Sequence, residues 1–282
     1  MHLPDNSTVT VSLRNGASRE FWANTYPPTP QRPHVWHDDV FRAFGVYLDS
    51  GAFDAYVGFG EWIGPTVLFA ARRRVRRAFA LEPDRAARRE LESNVRLNPD
   101  IAPRVTVSPL CISDAPGDLV IKANGGSASY FTELVGRGGS AGFSDSYSVR
   151  CVALPAFLSS HAVDPSRAFL KVDIEGAEVL VVASWFEWLA GMRVKPTMML
   201  SMHPNDRADE AALARVLRVL HLYRFGAPWG TLVYNLGLGG SAAEGSLPIA
   251  QPATSLTLEF LRACVNEFCD ILLSDYALPG RE

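Results

Sequence analysis

Phe169-Leu170-Lys171-Val172-Asp173-Ile174-Glu175-Gly176-Ala177-Glu178 is the stretch that decides the fold. Its apolar residues read as a strand buried on both faces, and they run straight into three carboxylates, Asp173, Glu175 and Glu178. In an open α/β sheet, ligands occupy the crevice beyond the carboxyl ends of the strands. A strand that stops on acids and is followed by a helix therefore places charge where chemistry occurs. Glu175 and Glu178 also have a plainer reading, because acids in the first turn of a helix complement its dipole.

Strands and helices alternate outward from that stretch. Upstream, Phe53 to Val57 reads as a strand, and Pro65 to Val75 as a helix with proline in its first turn. Ala78 to Leu81 follows as a strand, Asp84 to Leu97 as a helix capped by Asp84, and Arg104 to Leu110 as a third strand. The helix Leu154 to His161 precedes the central strand, Ala168 to Asp173. Downstream come a long helix, Ala177 to Ala190, and the strand Pro196 to Met202. The helix Asp209 to Tyr223 follows, with Leu213, Val216, Leu217 and Leu220 in one apolar stripe. Thr231 to Asn235 and Asp270 to Ser274 read as the last two strands. Strands separated by helices of this length call for parallel βαβ units. Their right-handed crossovers put helices on both faces of one sheet, an α/β architecture of about seven strands.

Two regions depart from the alternation. Residues 1–35 hold a short strand-like run, Thr8 to Leu13, and the segment Tyr26-Pro27-Pro28-Thr29-Pro30-Gln31-Arg32-Pro33, which cannot be helical, so they are expected to form an arm or lid ahead of a single domain over 36–282. An amphipathic helix from Trp36 to Leu48 opens that domain. Between Cys111 and Val152, the β-like runs Leu119 to Ala123 and Tyr147 to Val152 flank a Gly/Ser-rich flap from Asn124 to Ser146.

The composition, 48% hydrophobic and 20% charged, is that of a globular protein, and a net charge of -3 gives no general attraction to nucleic acid. The local run Arg72-Arg73-Arg74-Val75-Arg76-Arg77 reads as the solvated end of a helix, where arginine complements the dipole. Cys111, Cys151, Cys264 and Cys269 lack zinc-type spacing and are too sparse for a disulfide framework, which fits a reducing compartment. The first residues lack a signal-peptide pattern, and no segment has the ~20 apolar residues that cross a bilayer. A cytoplasmic protein without membrane or nucleic-acid partners is expected, with homo-oligomerisation left open.

The cofactor site is read from Gly58-Phe59-Gly60-Glu61-Trp62-Ile63-Gly64-Pro65, which follows the first strand and precedes a helix. Glycines there let a cofactor approach the backbone, with Gly58, Gly60, Glu61 and Gly64 as contacts. Glu82 ends the next strand, where a carboxylate accepts hydrogen bonds from both hydroxyls of an adenosine ribose. The loop lacks the dinucleotide spacing G-x-G-x-x-G, because three residues including Trp62 separate Gly60 from Gly64. It suits a cofactor without phosphates. S-adenosylmethionine fits: ribose at Glu82, methionine moiety along the loop, sulfonium toward Asp173, and adenine near Ser113 and Asp114. Those last two residues also read as simple turn formers.

Gly60-Glu61-Trp62-Ile63-Gly64-Pro65-Thr66, Leu81-Glu82-Pro83, Asn94 with Asn98, Ile112-Ser113-Asp114 with Gly117, and the block Phe169 to Glu178 together resemble the FkbM family of S-adenosylmethionine-dependent methyltransferases, across roughly residues 52 to 203. The resemblance implies a class I methyltransferase (Rossmann-like) fold, with a seven-stranded, mostly parallel sheet whose last strand is antiparallel. It also implies O-methylation of a hydroxyl on a sugar or secondary metabolite. One position departs from the pattern: where the family usually has Asp, this chain has Gly58, and Glu61 in the same loop is the candidate substitute.

Methyl transfer to oxygen needs alignment of the reacting atoms and a group that takes up the hydroxyl proton. His203, ending the strand Met199-Leu200-Ser201-Met202 before Pro204, is the expected base, with Asp173 beside it; His34 and His37 are weaker candidates. Asp173, Glu175 and His203 also form a set that could hold a divalent ion, magnesium or manganese. Trp185, Phe186 and Trp188 read as core or interface. Two other readings stay open: a nicotinamide-dependent oxidoreductase using the same loop, and a degenerate methyltransferase-fold protein that acts as a binding partner.

Overall fold

Ala55, Val57 and Phe59 of the first strand turn to one face of a central sheet and Tyr56 to the other, and all four are buried. This two-sided burial is what parallel sheets covered by helices on both faces require. The computed structural model describes residues 9–11, 38–123, 133–135, 145–204, 208–229 and 251–276. The proline segment 26–33, His34, His37 and the expected strand Thr231 to Asn235 lie outside the described residues. So does the Gly/Ser flap, apart from 133–135 and its last two residues.

The central sheet contains β1 (Ala55–Phe59), β2 (Arg77–Leu81), β3 (Val105–Ser108), β8 (Ala168–Val172), β9 (Thr197–Met202), β10 (Phe225–Trp229), β11 (Gln251–Pro252) and β12 (Cys269–Ser274). Their spatial order is β11-β10-β12-β9-β8-β1-β2-β3. β3, β2, β1, β8 and β9 run parallel, and β12 is inserted antiparallel between β9 and β10. That is the strand order and the reversed last strand of the class I methyltransferase fold. Six of the seven expected strands are present; β10 at Phe225–Trp229 lies upstream of the expected Thr231 to Asn235, and the two-residue β11 stands at the edge.

One face is covered by α1 (Asp38–Asp49), α2 (Pro65–Arg72) and α3 (Arg85–Arg96). The other is covered by α4 (Leu154–Ser160), α5 (Glu178–Ala183), α6 (Phe186–Ala190), α7 (Glu210–Leu220) and α8 (Leu258–Glu267). Asp84 caps α3 as expected, accepting from the Ala86 and Ala87 N–H groups. The long helix expected over Ala177 to Ala190 is instead two short ones. The Ser184 hydroxyl donates to the Val181 carbonyl at 2.6 Å, which competes with the helical ladder, and Trp185 turns into the core against Phe59. The helix Leu258–Glu267 is an element that the apolar spacing did not reveal.

The region after β3 is a separate four-stranded sheet of β4 (Cys111–Ile112), β5 (Gly117–Ala123), β6 (Glu133–Val135) and β7 (Asp145–Val152), ordered β4-β7-β5-β6. It leans on the start of α3: the Tyr147 hydroxyl donates to Asp84 at 2.8 Å and accepts from the Arg85 N–H at 2.9 Å. Pairing of β4 with β7 sets Cys111 opposite Cys151, and these two are disulfide-bonded, as are Cys264 and Cys269. The expectation that the cysteines are too sparse to form disulfides is therefore corrected. Strand register and a helix-to-strand turn bring together residues whose sequence spacing carried no such signal.

Residues 9–11 are fastened to the domain. Val9 is buried, and Asn98 exchanges hydrogen bonds with the Thr10 N–H and carbonyl, at 2.9 and 2.8 Å; Val9, Thr10 and Val11 carry no regular secondary structure. The arginine run is fastened internally, Arg72 to Asp100, Arg73 to Asp49, and Arg77 to the His161 and Ala162 carbonyls. No helix among the described residues is long and apolar enough to cross a membrane.

Candidate active site

The glycine loop after β1 is shaped by two close approaches. Gly60 has φ 76°, and a Cβ there would fall on the Asp173 carbonyl, so the loop and the end of β8 touch backbone to backbone. At Gly58, the space a Cβ would occupy is filled by the Glu61 carboxylate. That carboxylate is buried and accepts from the Tyr56 hydroxyl at 2.6 Å, the Thr66 hydroxyl at 2.6 Å and the Val67 N–H at 2.9 Å. Gly64 has no side chain with which to cap α2, and Glu61 does so from three residues upstream. Burial pushes the Glu61 carboxyl up, against the nearby Lys171 charge and these hydrogen bonds. Gly64 itself sits against Leu91 of α3, and Asn94 of the same helix donates to the Ile63 carbonyl at 2.9 Å.

Glu82, just past β2, accepts the Trp62 N–H at 2.7 Å on one oxygen and the Asp84 N–H at 2.8 Å on the other. Burial raises its carboxyl to about 8, although both backbone bonds oppose the shift. Each oxygen keeps a lone pair for a further donor. Ser113 follows β4, is buried, and donates its hydroxyl to the Ala115 carbonyl, while Asp114 is exposed. This is local turn geometry in the connection to the small sheet.

The second half of the site is built around one imidazole. His203 follows β9, and its Nδ1 lies 2.9 Å from Oε1 of Glu178. Its Nε2 faces Asp173 at 3.4 Å and Glu175 at 3.7 Å. Glu178 is 1% exposed and also accepts the Ile174 and Gly176 N–H groups, both at 2.8 Å. It thus ties down the acidic loop, whose Glu175 and Gly176 have φ 54° and 96°, and orients the imidazole with the same carboxylate. Burial alone would lower the His203 imidazole. The hydrogen bond to Glu178 and the charges of Glu178, Asp173 and Glu175 outweigh it and push the ring up to about 10. Burial raises Glu175 to about 7, with His203 pulling it down and Asp173 and Glu178 adding to the rise.

A buried network lies beneath these groups. Lys171 is paired with Asp173 and feels the charges of Glu61 and Asp270. Asp270 of β12 accepts from the Ser201 hydroxyl of β9 at 2.7 Å, and burial raises it to about 7. Among the described residues, Asp173, Glu175 and His203 form a group whose ligand atoms lie within 4.8 Å of one another, a spacing compatible with one cation.

The structure therefore brings Gly60, Glu61, Glu82, Asp173 and His203 to one edge of the sheet. Ser113 and Asp114 stand at its margin. Sequence reasoning missed Glu178 as the partner of the histidine, Lys171 as the partner of Asp173, and Asp270 with Ser201. The four-residue step from Ile174 to Glu178 was the one local hint that this acid turns back toward the loop.

The profile of the methyltransferase FkbM domain matches residues 49–225 of the chain. Among solved structures, the chain is similar to the methyltransferase FkbM of Methylobacillus flagellatus KT, at 17% identity and TM-score 0.35, covering 53% of this chain and 33% of that one. It is also similar to an S-adenosylmethionine-dependent O-methyltransferase of Thermotoga maritima, at 14% identity and TM-score 0.40, covering 90% and 70%. A Bacillus cereus O-methyltransferase in complex with S-adenosylhomocysteine matches at 10% identity and TM-score 0.39, covering 90% and 96%. The chain spans about a third of the length of the first of these. No curated protein sequence matches it.

Proposed function

Because the chain belongs to the FkbM methyltransferase family, we propose that it transfers a methyl group from S-adenosylmethionine to a hydroxyl of a small molecule, a sugar or secondary metabolite. The observation that carries this reading is the His203 imidazole. A buried Glu178 holds it by Nδ1, and its Nε2 faces the partly exposed Asp173 and Glu175. An orienting carboxylate on one nitrogen leaves the other to take up a hydroxyl proton in the neutral form of the ring, and with the imidazole pushed up to about 10 turnover should rise with pH toward that value.

The donor side rests on Glu82 and the glycine loop. The two backbone N–H groups that fix the Glu82 carboxylate leave acceptor capacity for the two hydroxyls of a ribose, and Gly60 lets the loop close onto the Asp173 carbonyl, which brings the two strand ends together. S-adenosylmethionine, when bound, supplies the electrophilic methyl. Asp173 and Glu175 set two acidic groups on this face, against the Lys171 and His203 cations, where a cationic donor would meet them.

Calorimetry with S-adenosylhomocysteine and with NAD tests this directly. Binding of the first is expected, with a loss of ~1 to 3 kcal/mol in Glu82→Ala. Binding of NAD alone would favour the oxidoreductase reading, and binding of neither would favour a partner protein. A second reading of the acidic face rests on the 4.8 Å grouping of Asp173, Glu175 and His203, which suits one magnesium or manganese ion polarising the hydroxyl. Activity abolished by a chelator and restored by either ion supports it, and full activity in chelator removes it.

A further inference from the structure

The turn into β12 holds a residue where glycine is the ordinary choice. α8 ends at Glu267, and Phe268 follows with φ 87° and ψ 132°, a backbone conformation that strains any side chain bearing a Cβ. Two bonds keep it there. The Phe268 N–H donates to the Cys264 carbonyl at 2.8 Å, and the Cys264–Cys269 disulfide closes the turn around it. Cys269 pairs in register with Met202, the last residue of β9, so the turn is held beside His203. The Phe268 and His203 ring centroids are 5.0 Å apart, with the planes inclined at 62°. The phenyl ring is half-buried, not sealed in the core.

Phe268 thus completes the surroundings of the imidazole. Glu178 holds one nitrogen, Asp173 and Glu175 face the other, and an aromatic edge-to-face contact limits rotation of the ring plane. A residue kept only to end a helix would gain from being glycine; the phenyl ring is kept against that gain. Strained backbone of this kind persists where surrounding structure over-determines it, and it gathers at functional sites.

We propose that Phe268 is a positioning residue for His203, pressed onto the imidazole by the Cys264–Cys269 bridge, and that reduction of that bridge by a dithiol releases it. In that step the dithiol passes two electrons to the bridge. The Cys264–Cys269 sulfur–sulfur bond breaks, the two cysteines take up two protons as thiols, and the dithiol closes to its own disulfide. The functional consequence rests on His203 being the base; the contact itself does not.

The experiment follows carbethoxylation of His203 in the full chain by diethyl pyrocarbonate at fixed pH, read by peptide mass spectrometry with His221 as internal reference. Phe268→Gly should keep or raise the thermal midpoint, because glycine relieves the strain. His203 should then react about five-fold faster as local opening exposes it. Phe268→Tyr, which restores the ring, should react like wild type. Cys264→Ser/Cys269→Ser, and wild type treated with dithiothreitol, should share the faster rate and carry the test if Phe268→Gly does not fold. His203 reacting at the wild-type rate in these forms overturns the proposal, as does a fall in the midpoint of Phe268→Gly without a change in that rate. S-adenosylhomocysteine calorimetry on wild type reports separately on the methyltransferase reading, so either idea can fail alone.

Discussion

The two halves of the cleft treat their acids in opposite ways. On the glycine-loop side, Glu61 and Glu82 are buried, and each carboxylate oxygen takes at least one hydroxyl or backbone N–H group. On the histidine side, Asp173 and Glu175 keep side-chain exposures of 30% and 32%, and they confront each other and Glu178 across one imidazole. The first half is finished by the fold, a rigid cradle whose shape does not await a ligand. The second half holds concentrated negative charge with Lys171 and His203 as its cations, so a cationic donor or ion adds most there. Preorganisation and electrostatic demand are thus divided between two strand ends of one sheet.

The largest expected effect comes from removing the centre of the histidine side. His203→Gln should lower methyl transfer by roughly 10² to 10⁴ while leaving S-adenosylhomocysteine affinity near wild type, because in the proposed reading that uncharged product is held by Glu82 and the glycine loop and not by the imidazole. Glu178→Gln should lower turnover less, since an amide still meets Nδ1 without the charge. Turnover of His203→Gln equal to wild type would show that the imidazole is not the base, and the division of labour would lose its second half.

Next comes the cradle. Glu61→Ala leaves the Tyr56 and Thr66 hydroxyls and the Val67 N–H without their acceptor, and a loss of about 2 to 4 kcal/mol in chemical denaturation is expected. The comparison sharpens with Gly58→Asp. Alone it should also destabilise, because its Cβ falls on the Glu61 carboxylate. Combined with Glu61→Ala it should regain part of the loss, since an acid again lies near Lys171 while the helix cap stays missing. A double variant no better than Glu61→Ala would show that the carboxylate matters only as a cap.

The same contrast separates what the sequence revealed from what it hid. Strand ends are legible because burial imposes apolar runs and the fold places polar residues where those runs stop. Glu82, Asp173 and His203 all sit at such ends, and the parallel βαβ build followed from the alternation. Partnerships across strands are not legible: Asp270 meets Ser201 through an antiparallel register, and Cys111 meets Cys151 through a parallel one. Glu178 read equally well as a dipole acid or as a site residue. Only the left-handed turn at Glu175 and Gly176 shows why it folds back onto its own loop. The split at Ser184 was hidden for a similar reason, since apolar spacing carries through a break that a single hydroxyl makes.

The smallest effect distinguishes burial from charge as the cause of a shifted group. Glu82 titrates near 8 in the folded protein against an ordinary 4.5, chiefly because burial disfavours its charged form. Between those values the folded state keeps a proton that the unfolded chain has released. Stability from this group is therefore complete below about pH 4.5 and is lost as the pH rises through about 8. The unfolding free energy should fall across this window by on the order of 1 to 2 kcal/mol, allowing for relaxation of the loop, and Glu82→Gln should flatten the fall. Salt should leave this slope in place, because screening acts on charge–charge terms and not on desolvation. A slope that disappears in high salt would mean that neighbouring charges govern Glu82, and the cradle would then resemble the histidine side.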